Sequence, residues 1–230
     1  MELERLKLQL GEENISKLNK MTVLIIGLGG VGGYTVESLA RSGIGHLIIV
    51  DKDNIDITNI NRQIIALHST IGKPKVEIFK NRINDINPNI KVTIIKENIL
   101  EDNINLLFEE KIDYLVDACD TILTKKLILK ECYNRKIKLI SSMGTGNKLD
   151  PTKLEIIDIS KTSYDPIAKI LRKYMKDEKI NMKLPVICSK EQPLKRGKTV
   201  SSNAFVPPIA GLLITSYIIN DIIDKDRLYE

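Results

Sequence analysis

Apolar positions in this chain fall into short unbroken runs that alternate with longer stretches of helical spacing. Val23 to Ile26 is a continuous apolar, largely β-branched run, the pattern of a strand buried on both faces of a parallel sheet. A helix is predicted from Tyr34 to Arg41 and a second apolar strand from Leu47 to Val50. The alternation continues with a helix over 75–87 that stops before Pro88, a strand over 91–96 and a helix over 101–110. A strand over 112–116, a helix over 124–135 and a strand over 138–142 follow, and 154–159 can add another strand. Short connections between alternating β and α elements predict an α/β fold: a doubly wound, mainly parallel Rossmann-like sheet with helices on both faces. Such a sheet binds its ligand at the carboxyl ends of its strands. The longest apolar stretch, 204–219, has Pro207-Pro208 near its start and reads as a buried helix with prolines in its first turn.

The first strand opens directly into Gly27-Leu-Gly29-Gly30-Val-Gly32-Gly33. Gly27, Gly29 and Gly32 fit G-x-G-x-x-G: a tight turn, a close backbone approach to phosphate, and close packing of helix on strand. The helix that follows favours an anion at its start. Asp51 ends the second strand, where a carboxylate can accept both hydroxyls of a ribose. Dehydrogenases share that loop and that acid, so the nucleotide is decided by what comes next. Hydride transfer needs a flat apolar slot and no concentration of positive charge. This chain instead places Asn59, Arg62 and Lys75 downstream of Asp51, the last in Gly72-Lys73-Pro74-Lys75. An arginine fork and a lysine point charge suit a triphosphate whose charge grows as pyrophosphate departs.

The order Gly-x-Gly-Gly-Val-Gly, Asp51-x-Asp53, Asn59-Ile-Asn61-Arg62-Gln63 and Gly72-Lys73-Pro74-Lys75 resembles the ThiF-type superfamily related to ubiquitin-activating enzymes. Asp117-Ala-Cys119-Asp120 is similar to that superfamily's acidic metal-binding motif. Within it, Asp150-Pro-Thr-Lys-Leu-Glu155, Asp158-Ile-Ser-Lys-Thr162, Asp165-Pro166 and Phe205-Val-Pro-Pro208-Ile-Ala-Gly211 look like the branch of tRNA threonylcarbamoyladenosine dehydratases. The resemblance implies one adenylation domain over 1–230, with an N-terminal helix over 1–20 and a basic insertion at about 161–200. It implies that Gly27, Gly29, Gly30 and Gly32 cradle ATP phosphates and that Asp51 and Asp53 serve the nucleotide. Asn59, Arg62 and Lys75 would contact the phosphates, and Asp120 would hold Mg2+. Arg5 would reach into a partner subunit's site in a homodimer. The implied reaction is ATP-dependent loss of water from threonylcarbamoyladenosine in tRNA through a carboxyl adenylate. Two alternatives stay open: activation of the C-terminal glycine of a ubiquitin-like or sulfur-carrier protein, and a nicotinamide-dependent oxidoreductase or dinucleotide-binding module.

Charge and cysteines refine this picture. The 230-residue chain has a net charge of +5, yet residues 169–198 hold ten Lys or Arg against three acids. A basic segment beside an ATP site suits a phosphate-rich substrate such as tRNA. Tyr174 is the only aromatic residue in that segment, which suggests backbone contact over base stacking. Hydrophobic residues make up 43% and charged residues 28% of the chain, as in ordinary globular proteins, and no secretory signal or membrane span is read at the N-terminus. A cytoplasmic location is expected. The three cysteines, Cys119, Cys132 and Cys188, form no C-x-x-C pair for a structural zinc. Cys188 is the candidate for a thioester or persulfide carrier in exchange with a sulfur-transfer protein. Some dehydratase relatives carry a cysteine where this chain reads Ser201-Ser202-Asn203, a departure that counts against such a relay.

Overall fold

A computed structural model describes residues 2–194 and 199–223. Strands β1 (Thr22–Ile26), β2 (His46–Val50), β3 (Lys91–Ile95), β4 (Tyr114–Asp117), β5 (Lys138–Ser142), β6 (Leu154–Asp158) and β7 (Pro185–Ser189) form one sheet in the order β3-β2-β1-β4-β5-β7-β6. Every pairing is parallel except that of the edge strand β6 with β7. Chain order reverses between β1 and β4, so the crevice beyond their carboxyl ends is the expected ligand position.

Residues of β1 face opposite ways in alternation, and both faces are covered. Val23 and Ile25 join a core with α2 (Glu12–Asn19), α3 (Gly32–Arg41), α4 (Lys75–Ile86) and α7 (Val206–Ile223). Leu24 and Ile26 join a second core with α5 (Ile122–Arg135) and α6 (Pro166–Asp177). That is why the run reads as continuously apolar. Helix α7 is long and apolar enough to cross a membrane, but 56% of it is buried inside the fold. It crosses α3 closely at Gly211, where an added Cβ would lie 2.3 Å from the Val31 carbonyl oxygen.

Three predicted elements differ from the structure. The N-terminal helix is two helices, α1 (Glu4–Leu10) and α2, separated by Gly11 at φ 80°. The stretch expected to be a helix over 101–110 is turns and a short 3-10 segment, Ile104–Phe108. There Asn103 Oδ1 accepts the Leu100 N–H at 2.7 Å and its amide donates to the Asn98 carbonyl at 3.0 Å, so the side chain competes with helical bonding. The stretch read as a basic insertion is in large part integral to the sheet layers, because it contains α6 and the interior strand β7. Lys195, Arg196 and Lys198 of that stretch lie outside the described residues.

Candidate active site

A cleft of about 560 Å³ opens where the strand order reverses. Its floor is the glycine loop. Gly27 follows β1 at φ 89°, and a Cβ there would stand 2.6 Å from the Ala118 carbonyl oxygen beyond β4. At Gly32 a Cβ would stand 1.8 Å from the Gly27 carbonyl oxygen, so the turn closes only with glycine at both positions. Gly29 and Gly30 line the cleft, and among the described residues their N–H groups have no acceptor. They lead into the N-terminus of α3, which together with these amides makes an anion seat.

Asp51 sits at the end of β2 beside that loop. Its Oδ2 accepts the Leu28 N–H at 2.7 Å and its Oδ1 the Asp53 N–H at 2.8 Å. Lys75 starts α4, and its buried ammonium lies 3.3 Å from Asp53 Oδ2 and 3.7 Å from Asp51 Oδ2. The isolated β-bridge between Asn54 and Pro74 brings the two segments together. Lys75 therefore neutralises two carboxylates at this end of the cleft in addition to supplying positive charge.

Asn59 and Arg62 lie on the turn that follows. Asp56 Oδ1 accepts the Thr58 N–H at 2.8 Å while Asn59 Oδ1 accepts the Asp56 N–H at 3.1 Å, a reciprocal cap that fixes this turn. Asp56 is held below its ordinary carboxylate range by its bonds from Thr58. The Arg62 guanidinium donates to the Thr58 carbonyl at 3.0 Å and to Asn61 Oδ1 at 2.9 Å, and no carboxylate pairs with it among the described residues. Its stem lies against Gly30, which sets the guanidinium beside the loop amides.

Asp120 stands on the opposite wall, in the exposed turn between β4 and α5. Its carboxylate accepts the Thr121 hydroxyl at 3.3 Å, and among the described residues no cation pairs with it. Beneath it lies a buried network that sequence reasoning missed. Lys125 Nζ is 3.0 Å from Asp117 Oδ2, 3.4 Å from Ser141 Oγ and 2.8 Å from the Ser142 carbonyl oxygen. The Ser141 hydroxyl donates to Asp117 Oδ2 at 2.6 Å, and the Cys119 thiol to Asp117 Oδ1 at 3.0 Å. In sequence Lys125 looks like a surface lysine on a helix; only the adjacency of β4 and β5 buries it. Gln63, at the end of the Asn59–Gln63 motif, is buried in the cleft wall with its Oε1 unpartnered among the described residues.

The cleft thus gathers Gly27, Gly29, Gly30, Asp51, Asp53, Asn59, Arg62, Lys75 and Asp120, with Gly32 packed under the loop. Arg5 is not among them. It is exposed on α1, whose preceding Leu3 packs against Gly43, at the other end of α3 from the glycine loop. Cys188 is 2% exposed, and burial pushes its thiol up to about 11. Burial first, and then the Asp117 charge, raise the thiols of Cys119 and Cys132 as well.

The pattern of the ThiF family matches residues 3–214. The chain belongs to the ThiF family. Its relatives include the tRNA threonylcarbamoyladenosine dehydratase of Bacillus subtilis, 43% identical over 96% of this chain and 94% of that protein. A Haemophilus influenzae protein of the same name is 40% identical over 72% of this chain and 64% of its own length. The crystal structure of E. coli tRNA N6-threonylcarbamoyladenosine dehydratase, TcdA, in complex with ATP superposes with a TM-score of 0.89 at 28% identity, covering 97% of each chain. The same E. coli protein is known with AMP, at a TM-score of 0.88. This ThiF-family chain therefore shares its whole architecture with a nucleotide-binding enzyme.

Proposed function

We propose that this chain is an ATP-dependent tRNA threonylcarbamoyladenosine dehydratase. The observation that carries the reading is identity to the B. subtilis dehydratase along nearly the full length of both chains. The cleft chemistry agrees with it. Glycine-loop amides and Arg62 suit the phosphates of ATP, and Asp51 suits the ribose. The threonyl carboxylate attacks the α-phosphorus, and the α–β bridging bond breaks to release pyrophosphate. Arg62 and Lys75 offset the charge that develops on the leaving group. The substrate's own carbamoyl group then attacks the activated carbonyl, a ring closes and AMP leaves. Since the second nucleophile is intramolecular, positioning and charge stabilisation suffice and no protein nucleophile is required. The raised thiols fit that economy.

Asp120 fits a hard cation, being one exposed carboxylate in the cleft with no cationic partner among the described residues. Mg2+ held there with phosphate oxygens and water would supply charge neutralisation at the α-phosphate. Exposure of Arg5 at a distance from its own cleft, on a helix that also exposes Leu8, supports a homodimer in which Arg5 serves the partner's site. A tRNA substrate supports action in the cytoplasm. A sulfur-transfer partner would find no accessible thiolate to relay through. Mass analysis of nucleosides from tRNA incubated with the enzyme tests the reading. Loss of one water from the threonylcarbamoyl nucleoside, only with ATP, is expected; an unchanged nucleoside alongside pyrophosphate exchange driven by a protein ending in Gly-Gly would contradict it.

A further inference from the structure

We infer that the exposed face of α6, together with Tyr164 just before it, is the docking surface for the anticodon stem-loop of the substrate tRNA, with Tyr164 stacking on a loop base and Lys169, Lys173 and Lys176 lying along the stem phosphates. The inference rests on the proposed dehydratase reading and adds to it the surface that grips the polynucleotide.

Three observations converge. First, Lys169, Lys173 and Lys176 recur at helical spacing on the solvent side of α6, while Ala168 and Leu171 face the core. None of the three lysines has an ion pair among the described residues, whereas nearby cations such as Lys130 and Lys190 are paired with Glu178 and Glu155. At 1.5 Å of rise per residue the row runs about 10 Å along the helix, enough to meet neighbouring phosphates of one strand. Asp177, next to Lys176, marks its far end.

Second, the near end of the row is tied to the cleft. Asp165 caps α6 by accepting the Ala168 N–H at 2.9 Å, and its other oxygen accepts the Gly144 N–H at 3.0 Å. Gly144 belongs to the loop after β5, whose Thr145 lines the nucleotide cleft. A stem lying on the lysines therefore directs its loop toward that cleft.

Third, an aromatic ring stands at that junction. Tyr164 is 64% exposed and holds a left-handed φ of 59°, which a bulky side chain adopts only where its surroundings enforce it. The segment that presents it is pinned from below, where the Arg172 guanidinium bonds the Ile159 and Thr162 carbonyls and the Thr162 hydroxyl. Tyr174, the aromatic residue noted in sequence, is half-buried against Lys126 and is not available for stacking. Loop bases splayed from single-stranded RNA are characteristically held on such exposed rings.

The test uses the full chain and tRNA carrying threonylcarbamoyladenosine. The triple variant K169Q/K173Q/K176Q should raise the KM for tRNA about tenfold or more and lower the steepness of its salt dependence by about three. Y164A should raise that KM about tenfold, and Y164F should restore it. Affinity for ATP and the melting temperature should match the wild type in all of them. K111E, on the far end of the sheet, should leave the KM unchanged. An unaltered KM and salt dependence in the triple variant, with the wild type active, would overturn the surface. A wild type unable to convert this tRNA would overturn the underlying reading, and the surface with it.

Discussion

The neighbours of Arg62 satisfy their own polar groups and leave its charge unpaired among the described residues, as the proposed contact with a polyphosphate requires. Asp56 and Asn59 cap each other, Thr58 and Asn61 orient the guanidinium, and no carboxylate among the described residues claims it. Replacing Arg62 or Asp120 by alanine should lower turnover about a hundredfold or more with little change in melting, because both are accessible and outside the core. Steady-state rates paired with thermal melts check this. Lys125 is the opposite case. Its side chain and that of Asp117 are 1% and 2% exposed at 3.0 Å separation, so Lys125→Met strands a buried carboxylate and should cost about 3–5 kcal/mol in denaturant unfolding. Thiol alkylation under native conditions should be negligible at Cys188, rising only with unfolding, since burial has pushed that thiol to about 11. At this scale the glycine loop, Asp51 and the Asn59–Gln63 turn were legible because their residue types are dictated locally. Lys125 and the double pairing of Lys75 were not, because the first depends on β4 and β5 becoming neighbours and the second on the Asn54–Pro74 bridge.

Helices α3 and α4 are clamped by one buried carboxylate. Arg82 donates to Glu37 at 2.6 and 3.0 Å, and Arg41 donates at 2.8 Å. Burial alone would raise the Glu37 carboxyl, but the bonds from Arg82 and then Arg41 outweigh it and hold the group below 4.5. A carboxylate depressed in the folded state contributes stability at pH above its unfolded value, and that contribution is lost as pH falls through the folded value. The stability advantage of wild type over Glu37→Gln should therefore be full near neutrality and shrink as pH drops below about 4.5, as pH-dependent urea melts would show. Elements with a continuous apolar run or clear helical spacing, such as β1, α4 and β5, follow from the sequence almost to the residue. The stretch at 101–110 does not, because Asn103 bonds its own backbone neighbours in place of a helix. Strand β7 was hidden because lysines on its flanks made the whole segment resemble a solvated addition, although its Val186 and Ile187 are fully buried.

The whole molecule places the cleft at one end of the sheet and the N-terminal helix carrying Arg5 near the other. In a homodimer with shared sites, Arg5→Ala and Arg62→Ala would each be inactive alone. An equal mixture should regain about a quarter of wild-type activity after subunit exchange, since half the dimers would be mixed and each would hold one complete site. Activity remaining at zero in the mixture would remove Arg5 from the partner's cleft. The fold class was legible from alternation alone, but the separation of Arg5 from its own site was not, because it depends on where α1 packs. The central claim is that the cleft transfers AMP onto the threonyl carboxylate before water is lost. Heavy-oxygen label placed in that carboxylate tests it most directly. The account predicts one labelled oxygen in the released AMP and none in pyrophosphate; unlabelled AMP from a reaction that still closes the ring would contradict it.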